Sequence, residues 1–239
     1  MDDFDPLSLQ TSPTAARPLL GLTILVVEDS RYSCDALRLL CLRSGARIRR
    51  ADCIASAHRH LQVYRPSIIL IDVGLPDGSG VDLIAELAEA SPRINIILGL
   101  SGDDMMEKPA LAAGADGFFA KPIENISTFQ ETILAHLPPD RRPLGPRPLQ
   151  DSIVRPDPVS YNDDLTHVAS LIDDACGNER TLTYIAQFVT GLAKSARDDA
   201  LESAGRELAA AQAGRHPVGQ AVAKLTGLLR QRLDGSVAI

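Results

Sequence analysis

Long apolar runs are missing from this sequence, and with them any segment that could cross a membrane. A transmembrane helix needs roughly 18 or more consecutive apolar residues, and the 239 residues contain no such run. The first residues, Met1 to Pro6, are acidic and lack the basic start and apolar core of a secretory signal peptide. We therefore expect a cytoplasmic protein that does not associate with a membrane.

Cysteine pairs and an excess of positive charge are also missing. The cysteines are Cys34, Cys41, Cys53 and Cys176, and their spacing includes no C-x-x-C or C-x-x-H pattern. Neither a zinc site nor a redox pair is therefore indicated. The formal net charge is −7, with acidic residues outnumbering basic ones on both sides of residue 150. Because proteins that bind nucleic acid usually have a basic face, nucleic-acid binding is not expected.

The most informative stretch that is present runs from Ile68 to Asp72 and continues into a Pro/Gly segment at 74–80. An apolar, β-branched run bounded by turn residues is typical of a strand buried on both faces of a parallel sheet. Its last residue is a carboxylate, and open α/β sheets bind ligands at the carboxyl ends of their strands. Asp72 alone could simply end a strand or cap a turn. Its role therefore depends on the other strand ends.

Strand-like and helix-like segments alternate five times within roughly 120 residues. The strand-like runs are 22–27, 46–51, 68–72, 94–100 and 117–120. Such alternation predicts an α/β fold with a flavodoxin-like (βα)5 doubly wound parallel sheet and helices on both faces. The weakly alternating run 46–51 is expected near an edge of the sheet.

The chain as a whole divides into four segments by composition. Residues 1–20 form a proline-containing leader that is expected to be flexible, and 21–137 form the α/β domain. Seven prolines in 138–158 predict a semi-stiff, extended linker. Residues 159–239 form a small all-α domain, with helices expected at about 161–176, 179–196, 198–213 and 217–233.

Chemically reactive side chains follow four of the predicted strands, namely Glu28 and Asp29, Asp72, Ser101, and Lys121. In a doubly wound sheet these strand ends meet at one edge. Three carboxylates held together repel unless protons or a metal ion neutralise them, and all-oxygen ligands suit Mg²⁺. Asp72 would then be a nucleophile for a phosphoryl group, with Ser101 and Lys121 contacting the phosphoryl oxygens.

These residues resemble the receiver domain of bacterial response regulators over about residues 21–137. The matching motifs are Val26-Val27-Glu28-Asp29-Ser30, Asp72 with Leu75-Pro76-Asp77-Gly78-Ser79-Gly80, Ser101 after a strand, and Lys121-Pro122. No single motif is specific, but the four occur in the family's order and spacing. The resemblance implies a two-component phosphorelay protein whose donor is a histidine kinase or a phosphotransfer protein.

The resemblance also assigns roles to individual residues. Asp72 is the implied phospho-acceptor, with Ser101 and Lys121 in the catalytic site. Mg²⁺ is bound by Glu28, Asp29, Asp72 and the backbone carbonyl of Gly74. Ser101 and Phe118 match the hydroxyl and aromatic residues that change position together on phosphorylation. Beyond slow loss of its own phosphoryl group, no enzymatic turnover is expected.

The chain departs from the family pattern before the fifth strand. The segment from Ser101 to Gly117 is about two residues shorter than is common in the family, and it contains Pro109. Because proline fits best in the first turn of a helix, the fourth helix should be short or start late. This helix belongs to the face through which receivers usually signal, so a standard dimerisation mode is in doubt.

The C-terminal half has no Gly-rich phosphate loop, no metal-ligand cluster and no GGDEF- or EAL-like run. Its Ala-rich helices favour a module that binds a protein partner or a second copy of the chain. One alternative is a DNA-binding transcriptional regulator. Another is a degenerate phosphotransfer-like domain, because Leu201 to Leu208 faintly resembles the helix of a histidine phosphotransfer domain with Gly205 in place of the histidine. A phosphatase with an aspartate nucleophile is disfavoured, because such enzymes place the nucleophile in a D-x-D run on an early strand, whereas Asp72 is followed by Val73 and Gly74.

Overall fold

The computed structural model describes residues 12–145, 152–174, 178–214 and 217–236, which form a parallel sheet with flanking helices and a helical bundle. The strands of the sheet are β1 Thr23–Val27, β2 Arg47–Ala51, β3 Ile68–Asp72, β4 Ile96–Ser101 and β5 Gly117–Ala120. The helices are α1 Arg31–Ser44, α2 Ile54–Val63, α3 Gly80–Glu89, α4 Glu107–Ala112, α5 Ile126–His136, α6 Pro158–Asp174, α7 Glu179–Ala196, α8 Asp199–Gln212 and α9 Val218–Ser236. A short hairpin pairs Gly74–Leu75 with Gly78–Ser79, and 3₁₀ turns cover Asp104–Met106 and Pro139–Arg141.

The five strands are parallel and lie in the order β2-β1-β3-β4-β5, which confirms the doubly wound α/β fold. Every residue of β3 and β4 is buried, as their apolar composition predicts. The strand β2 lies at an edge, as its weak alternation predicts. In the register of the sheet, Val27 lies opposite Ile71, and Ser101 lies opposite Ala120. Residues that follow β1 therefore emerge beside the end of β3, and residues that follow β5 emerge beside the end of β4, the other neighbour of β3.

Helices cover both faces of the sheet. Apolar residues of α1 and α5 pack in one layer, and those of α2, α3 and α4 pack in the other. The start of α1 is capped by Ser30, whose side chain accepts a hydrogen bond from the backbone N–H of Ser33. Its end is set by Gly45, which has a φ of 88° and donates to two carbonyl groups of the last turn. The predicted short fourth helix is confirmed, because α4 has six residues.

Two segments outside the expected α/β domain also pack against its core. Leu19, in the expected leader, is fully buried, and its N–H donates to the carbonyl of Ser44. Val154, in the expected linker, is buried in the layer formed by α1 and α5, and its N–H donates to the carbonyl of Glu124. The structure therefore differs from a free leader and a free spacer at these two points, because each segment buries an apolar side chain. Residues 1–11 and 146–151 lie outside the described residues.

The helices α6 to α9 form the C-terminal bundle, in which each helix packs against two of the others. Its core contains leucine, isoleucine, valine and alanine side chains that repeat at helical spacing. The helix α6 starts at Pro158, in the position where proline is tolerated, and thus earlier than the sequence predicts. No described helix is both long enough and apolar enough to cross a membrane.

Gly205 lies in the interior of the bundle, between α8 and α7. A Cβ at this position would lie 2.6 Å from Thr190 Oγ1 and 3.1 Å from the Thr190 backbone nitrogen. A histidine at position 205 would therefore collide with α7. Its imidazole would also be enclosed within the bundle and would not face a partner.

Candidate functional site

The structure brings the strand-end residues together in one cavity. Glu28 and Asp29 follow β1, Asp72 ends β3, and Lys121 follows β5. With Ser101 at the end of β4, they line a cavity of about 420 Å³. The convergence follows from the parallel register, because the carboxyl ends of neighbouring strands share one edge of the sheet.

Lys121 is the central cation of the site. Its Nζ atom lies 2.6 Å from Asp72 Oδ2 and 2.7 Å from Glu28 Oε2. All three residues are buried, with Glu28 fully enclosed and Asp72 only 8% exposed. Burial alone would lower the pKa of Lys121, but Asp72 and Glu28 outweigh this effect and raise its pKa. Lys121 therefore stays protonated between the two carboxylates.

The three carboxylates form a group that fits a divalent cation. Glu28, Asp29 and Asp72 each place a carboxylate oxygen within 4.8 Å of the others. Burial raises the pKa of Glu28 well above its usual value, and repulsion from Asp72 and Asp29 adds to this shift against the opposing effect of Lys121. Burial, followed by repulsion from Asp72, raises the pKa of Asp29 to about 7. A bound cation would offset this repulsion, and a compact all-oxygen ligand set suits Mg²⁺.

The other predicted site residues lie around this group in different ways. The Ser101 hydroxyl accepts a hydrogen bond from the Asp103 N–H at 3.0 Å, and the Gly74 N–H donates to Asp72 Oδ1 at 3.4 Å. Both Gly74 and Ser101 line the cavity. Phe118 is half-buried in the apolar layer on the α4 side of the sheet and contacts Gly99, so it lies behind the cavity wall.

The opposite wall of the cavity is formed by α7 of the C-terminal bundle, which the sequence did not predict. The Tyr184 hydroxyl donates to Asp29 Oδ2 at 2.6 Å. The Gln187 side chain covers Gly74, since its Oε1 atom would lie 3.2 Å from a Cβ there. Lys194 Nζ donates to the carbonyl of Gly102 at 2.8 Å and to Asp104 Oδ1 at 2.9 Å.

A sequence signal for this wall exists, but it is weak. Tyr184, Gln187, Gly191 and Lys194 are spaced by three, four and three residues, which places them on one face of a helix. A polar face of this kind normally contacts solvent. Gly191, in the middle of this face, is the hint that another backbone approaches the helix closely. Glycine lowers helix stability, so its presence inside a helix indicates that a side chain would not fit there.

Asp164 and Arg197 also join the bundle to the α/β domain. The Asp164 carboxylate is buried at the start of α1, where it accepts the Ser30 hydroxyl at 2.7 Å and the N–H groups of Arg31 and Tyr32 at 2.9 and 3.0 Å. Arg197, at the end of α7, pairs with Glu124 at 2.7 Å. These contacts fix the bundle to the α/β domain near the start of α1 and the end of β5.

Comparison with known proteins identifies the α/β part of the chain. Residues 24–133 match the family model described as the response regulator receiver domain. The KDP operon transcriptional regulatory protein KdpE of Escherichia coli (strain K12) is 31% identical over 99 residues, which cover 41% of this chain and 44% of that protein. The transcriptional regulatory protein CitB of Klebsiella pneumoniae is 33% identical over 107 residues, which cover 43% of this chain and 45% of that protein.

Among solved structures, the chemotaxis response regulator CheY4 of Vibrio cholerae is 25% identical, with a TM-score of 0.44, and the match covers 48% of this chain and 98% of that one. The chain thus spans less than half the length of the curated relatives named above. In all of these comparisons the similarity is confined to about half of this chain or less. Residues 24–133 are a receiver domain of the response-regulator family.

Proposed function

We propose that the chain is a phosphorylation-controlled response regulator in which Asp72 accepts a phosphoryl group. The observation that carries this proposal is the pairing of Lys121 with Asp72 at the end of the central strand, beside the buried carboxylates of Glu28 and Asp29. A fixed cation and a nucleophilic carboxylate in a partly enclosed cavity are what phosphoryl transfer requires. The donor is a histidine kinase or a phosphotransfer protein.

In the proposed reaction, an Asp72 oxygen attacks the phosphorus of a phosphohistidine. The P–O bond to Asp72 forms, the P–N bond breaks, and its electron pair leaves with the donor imidazole. Glu28, Asp29, Asp72 and the Gly74 carbonyl would hold Mg²⁺, which supplies positive charge against the phosphoryl oxygens. Lys121 contacts a second phosphoryl oxygen, and the Ser101 hydroxyl donates to a third. Apart from slow loss of this phosphoryl group, the proposal includes no turnover.

The output of the proposal is a change of partner for the C-terminal bundle. Ser101 and Phe118 change position together when Asp72 is phosphorylated, and the bundle then binds another protein or a second copy of the chain. The amphipathic helices of the bundle, two of which already pack against α1 of the receiver, support a role in protein binding. A cytoplasmic location is part of this proposal.

A transcriptional regulator is the second candidate, because the names of KdpE and CitB describe transcriptional regulators. The shared part of those proteins is the receiver, and the bundle lies outside it. DNA binding that weakens steeply with salt would support this candidate. An unchanged mobility of DNA at low salt would contradict it.

The proposal is tested by beryllofluoride, which mimics an aspartyl phosphate, in the presence of Mg²⁺. We expect saturable binding to the wild-type chain by fluorine NMR and none to Asp72→Asn. The control is Asp77→Asn, because Asp77 caps α2 through the N–H groups of Ile54 and Ala55 and does not line the cavity. Equal binding by wild type and Asp72→Asn would contradict the proposal.

Light scattering on the same samples tests the output. A rise in mass with beryllofluoride in the wild type, but not in Asp72→Asn, would show that the phosphorylated chain binds itself. A constant mass would contradict self-association as the output.

A further inference from the structure

One face of α7 lies directly over the acceptor site, and we call it the α7 stripe: Tyr184, Gln187, Gly191 and Lys194. The opposite face of the same helix, with Ile185, Val189 and Leu192, is fully or almost fully buried in the core of the bundle. The stripe lies outside this apolar face, although the Tyr184 ring also packs against the core of the bundle. Its polar side chains and its glycine are instead matched to the receiver.

Tyr184 binds one of the two carboxylate oxygens of Asp29, a residue of the candidate cation site. Its hydroxyl donates to Asp29 Oδ2 at 2.6 Å, and its ring is held against Phe188 with a centroid separation of 5.8 Å. A hydrogen bond from a hydroxyl to a carboxylate at this distance is charge-assisted and strong. A divalent cation at the carboxylate group would have to compete with this hydroxyl for Asp29.

Gly191 brings the backbone of α7 close to the catalytic cation. A Cβ at Gly102 would lie 2.8 Å from the Cα atom of Gly191, so the two glycines cross with little space between them. A Cβ at Gly191 would have Lys121 Nζ as its nearest neighbour, at 3.9 Å. Any larger side chain at position 191 would therefore extend towards the pair formed by Lys121 and Asp72.

Charged contacts hold the stripe in this place. Lys194 binds the loop after β4 through the Gly102 carbonyl and Asp104. Arg197 pairs with Glu124 on the receiver, where the Glu124 side chain is 17% exposed and that of Arg197 is 68% exposed. These side chains come from the bundle, and their partners come from the loops that surround the acceptor site.

The space that remains is too small for a protein donor. The cavity between the receiver and α7 has a volume of only about 420 Å³. A stable protein–protein contact, however, buries about 800 Å² on each partner. A phosphorylated histidine on another protein can therefore reach Asp72 only after α7 has moved away.

We propose that the α7 stripe is a receiver-binding surface that competes with the phosphoryl donor for the acceptor site of its own chain. The inference rests on the proposed role of Asp72. The bundle leaves before phosphorylation, and a bound cation with a phosphoryl group keeps it away. Because coupling between two binding events is reciprocal, weakening the docked state must strengthen the binding of the phosphoryl mimic.

The test compares the full-length wild type with Tyr184→Phe, which removes the hydroxyl and keeps the ring. We expect Tyr184→Phe to bind beryllofluoride and Mg²⁺ about tenfold more tightly, because one charge-assisted hydrogen bond of the docked state is lost. Small-angle X-ray scattering should show that beryllofluoride increases the radius of gyration of the wild type. The matched control is Tyr161→Phe, whose hydroxyl donates to Asp198 within the bundle at 3.2 Å and which should behave as wild type.

A second pair of variants tests the close approach of the backbone. Gly191→Phe should bind the mimic more tightly than wild type. In the absence of the mimic, its radius of gyration should be larger than that of wild type. Gly227→Phe places the same side chain in the middle of α9, where a Cβ would have no neighbour within 4 Å, and should change neither property. If Gly191→Phe does not fold, Arg197→Glu replaces it and should likewise bind the mimic more tightly. Adding Glu124→Arg should restore the ion pair, and with it the wild-type affinity and radius of gyration.

The outcomes separate this inference from the proposed function. Equal affinities in the wild type, Tyr184→Phe and Gly191→Phe, with no binding by Asp72→Asn, would overturn the competition and leave the role of Asp72 intact. Tighter binding without any expansion would overturn the release of the bundle. Failure of every variant to bind beryllofluoride would remove the proposed function and this inference together.

Discussion

Lys121 determines whether the buried carboxylates of the receiver are compatible with a folded state. Its ammonium group contacts both Asp72 and Glu28, and all three side chains are removed from solvent. Breaking a buried ion pair by removing one partner leaves an uncompensated charge, which costs more than the pair itself contributes. The lysine therefore stabilises the fold as well as the proposed transition state.

We predict that Lys121→Met lowers the free energy of unfolding by about 3 to 5 kcal/mol in the absence of divalent cations, as measured by urea denaturation. Mg²⁺ should restore part of this loss, because it can bind the released carboxylates. Lys224→Met is the control, since its exposed pair with Glu207 should contribute less than about 1 kcal/mol. Similar losses in both variants would contradict this account of the site.

At the level of single residues, much of the candidate site could be predicted from the sequence. A carboxylate after an apolar run, as at Asp72, and a lysine before proline, as at Lys121, are placed by the parallel topology alone. The contact between Tyr184 and Asp29 could not be predicted, because the two residues are 155 positions apart and belong to different folding units. No local pattern specifies which surface of a bundle meets which edge of a sheet.

Asp198 organises the junction of three helices in the C-terminal bundle. Its carboxylate caps α8 through the N–H of Leu201, and it accepts hydrogen bonds from Arg232 at 2.7 and 3.0 Å and from the Tyr161 hydroxyl. The hydrogen bonds from Arg232 are the largest cause that lowers the pKa of Asp198 below its usual value. One carboxylate thus connects α6, α8 and α9.

We predict that Asp198→Ala lowers the stability of the bundle by about 2 to 4 kcal/mol, since it removes a cap and the hydrogen bonds to Arg232. Asp199→Ala, at the exposed neighbouring position, should cost less than about 1 kcal/mol. Because folding lowers the pKa of Asp198, its contribution is present above the unfolded value of 3.8 and is lost as the pH falls below it. Thermal unfolding followed by circular dichroism at several pH values should show a weaker acid dependence in Asp198→Ala than in wild type.

The elements of the chain were more predictable than the segments that connect them. Strands such as β3 follow directly from apolar runs, and the six residues of α4 follow from Pro109 and the short segment around it. The proline-rich segment was less predictable. Its prolines predict an extended spacer, but Val154 packs in the core of the receiver. Proline restricts the backbone of a segment but does not prevent one apolar side chain from packing.

At the scale of the whole molecule, the arrangement of the two halves depends on a buried carboxylate at a helix start. Asp164 of α6 accepts two backbone N–H groups of the first turn of α1 and the hydroxyl of its cap residue, Ser30. The start of a helix has unpaired N–H groups and a partial positive charge, so a carboxylate there is favourable. The same helix α1 follows Glu28 and Asp29, so this contact positions the bundle next to the cavity.

We predict that Asp164→Ala loosens the bundle from the receiver, because it leaves the N–H groups of Arg31 and Tyr32 without their carboxylate partner. Hydrogen exchange of these two amides should become about tenfold faster or more, and the radius of gyration should increase. Asp163→Ala is the matched control, since its pair with Arg31 is exposed on both sides and should contribute little. Equal exchange rates in the two variants would show that the halves are held together by the remaining contacts, which include those of the α7 stripe.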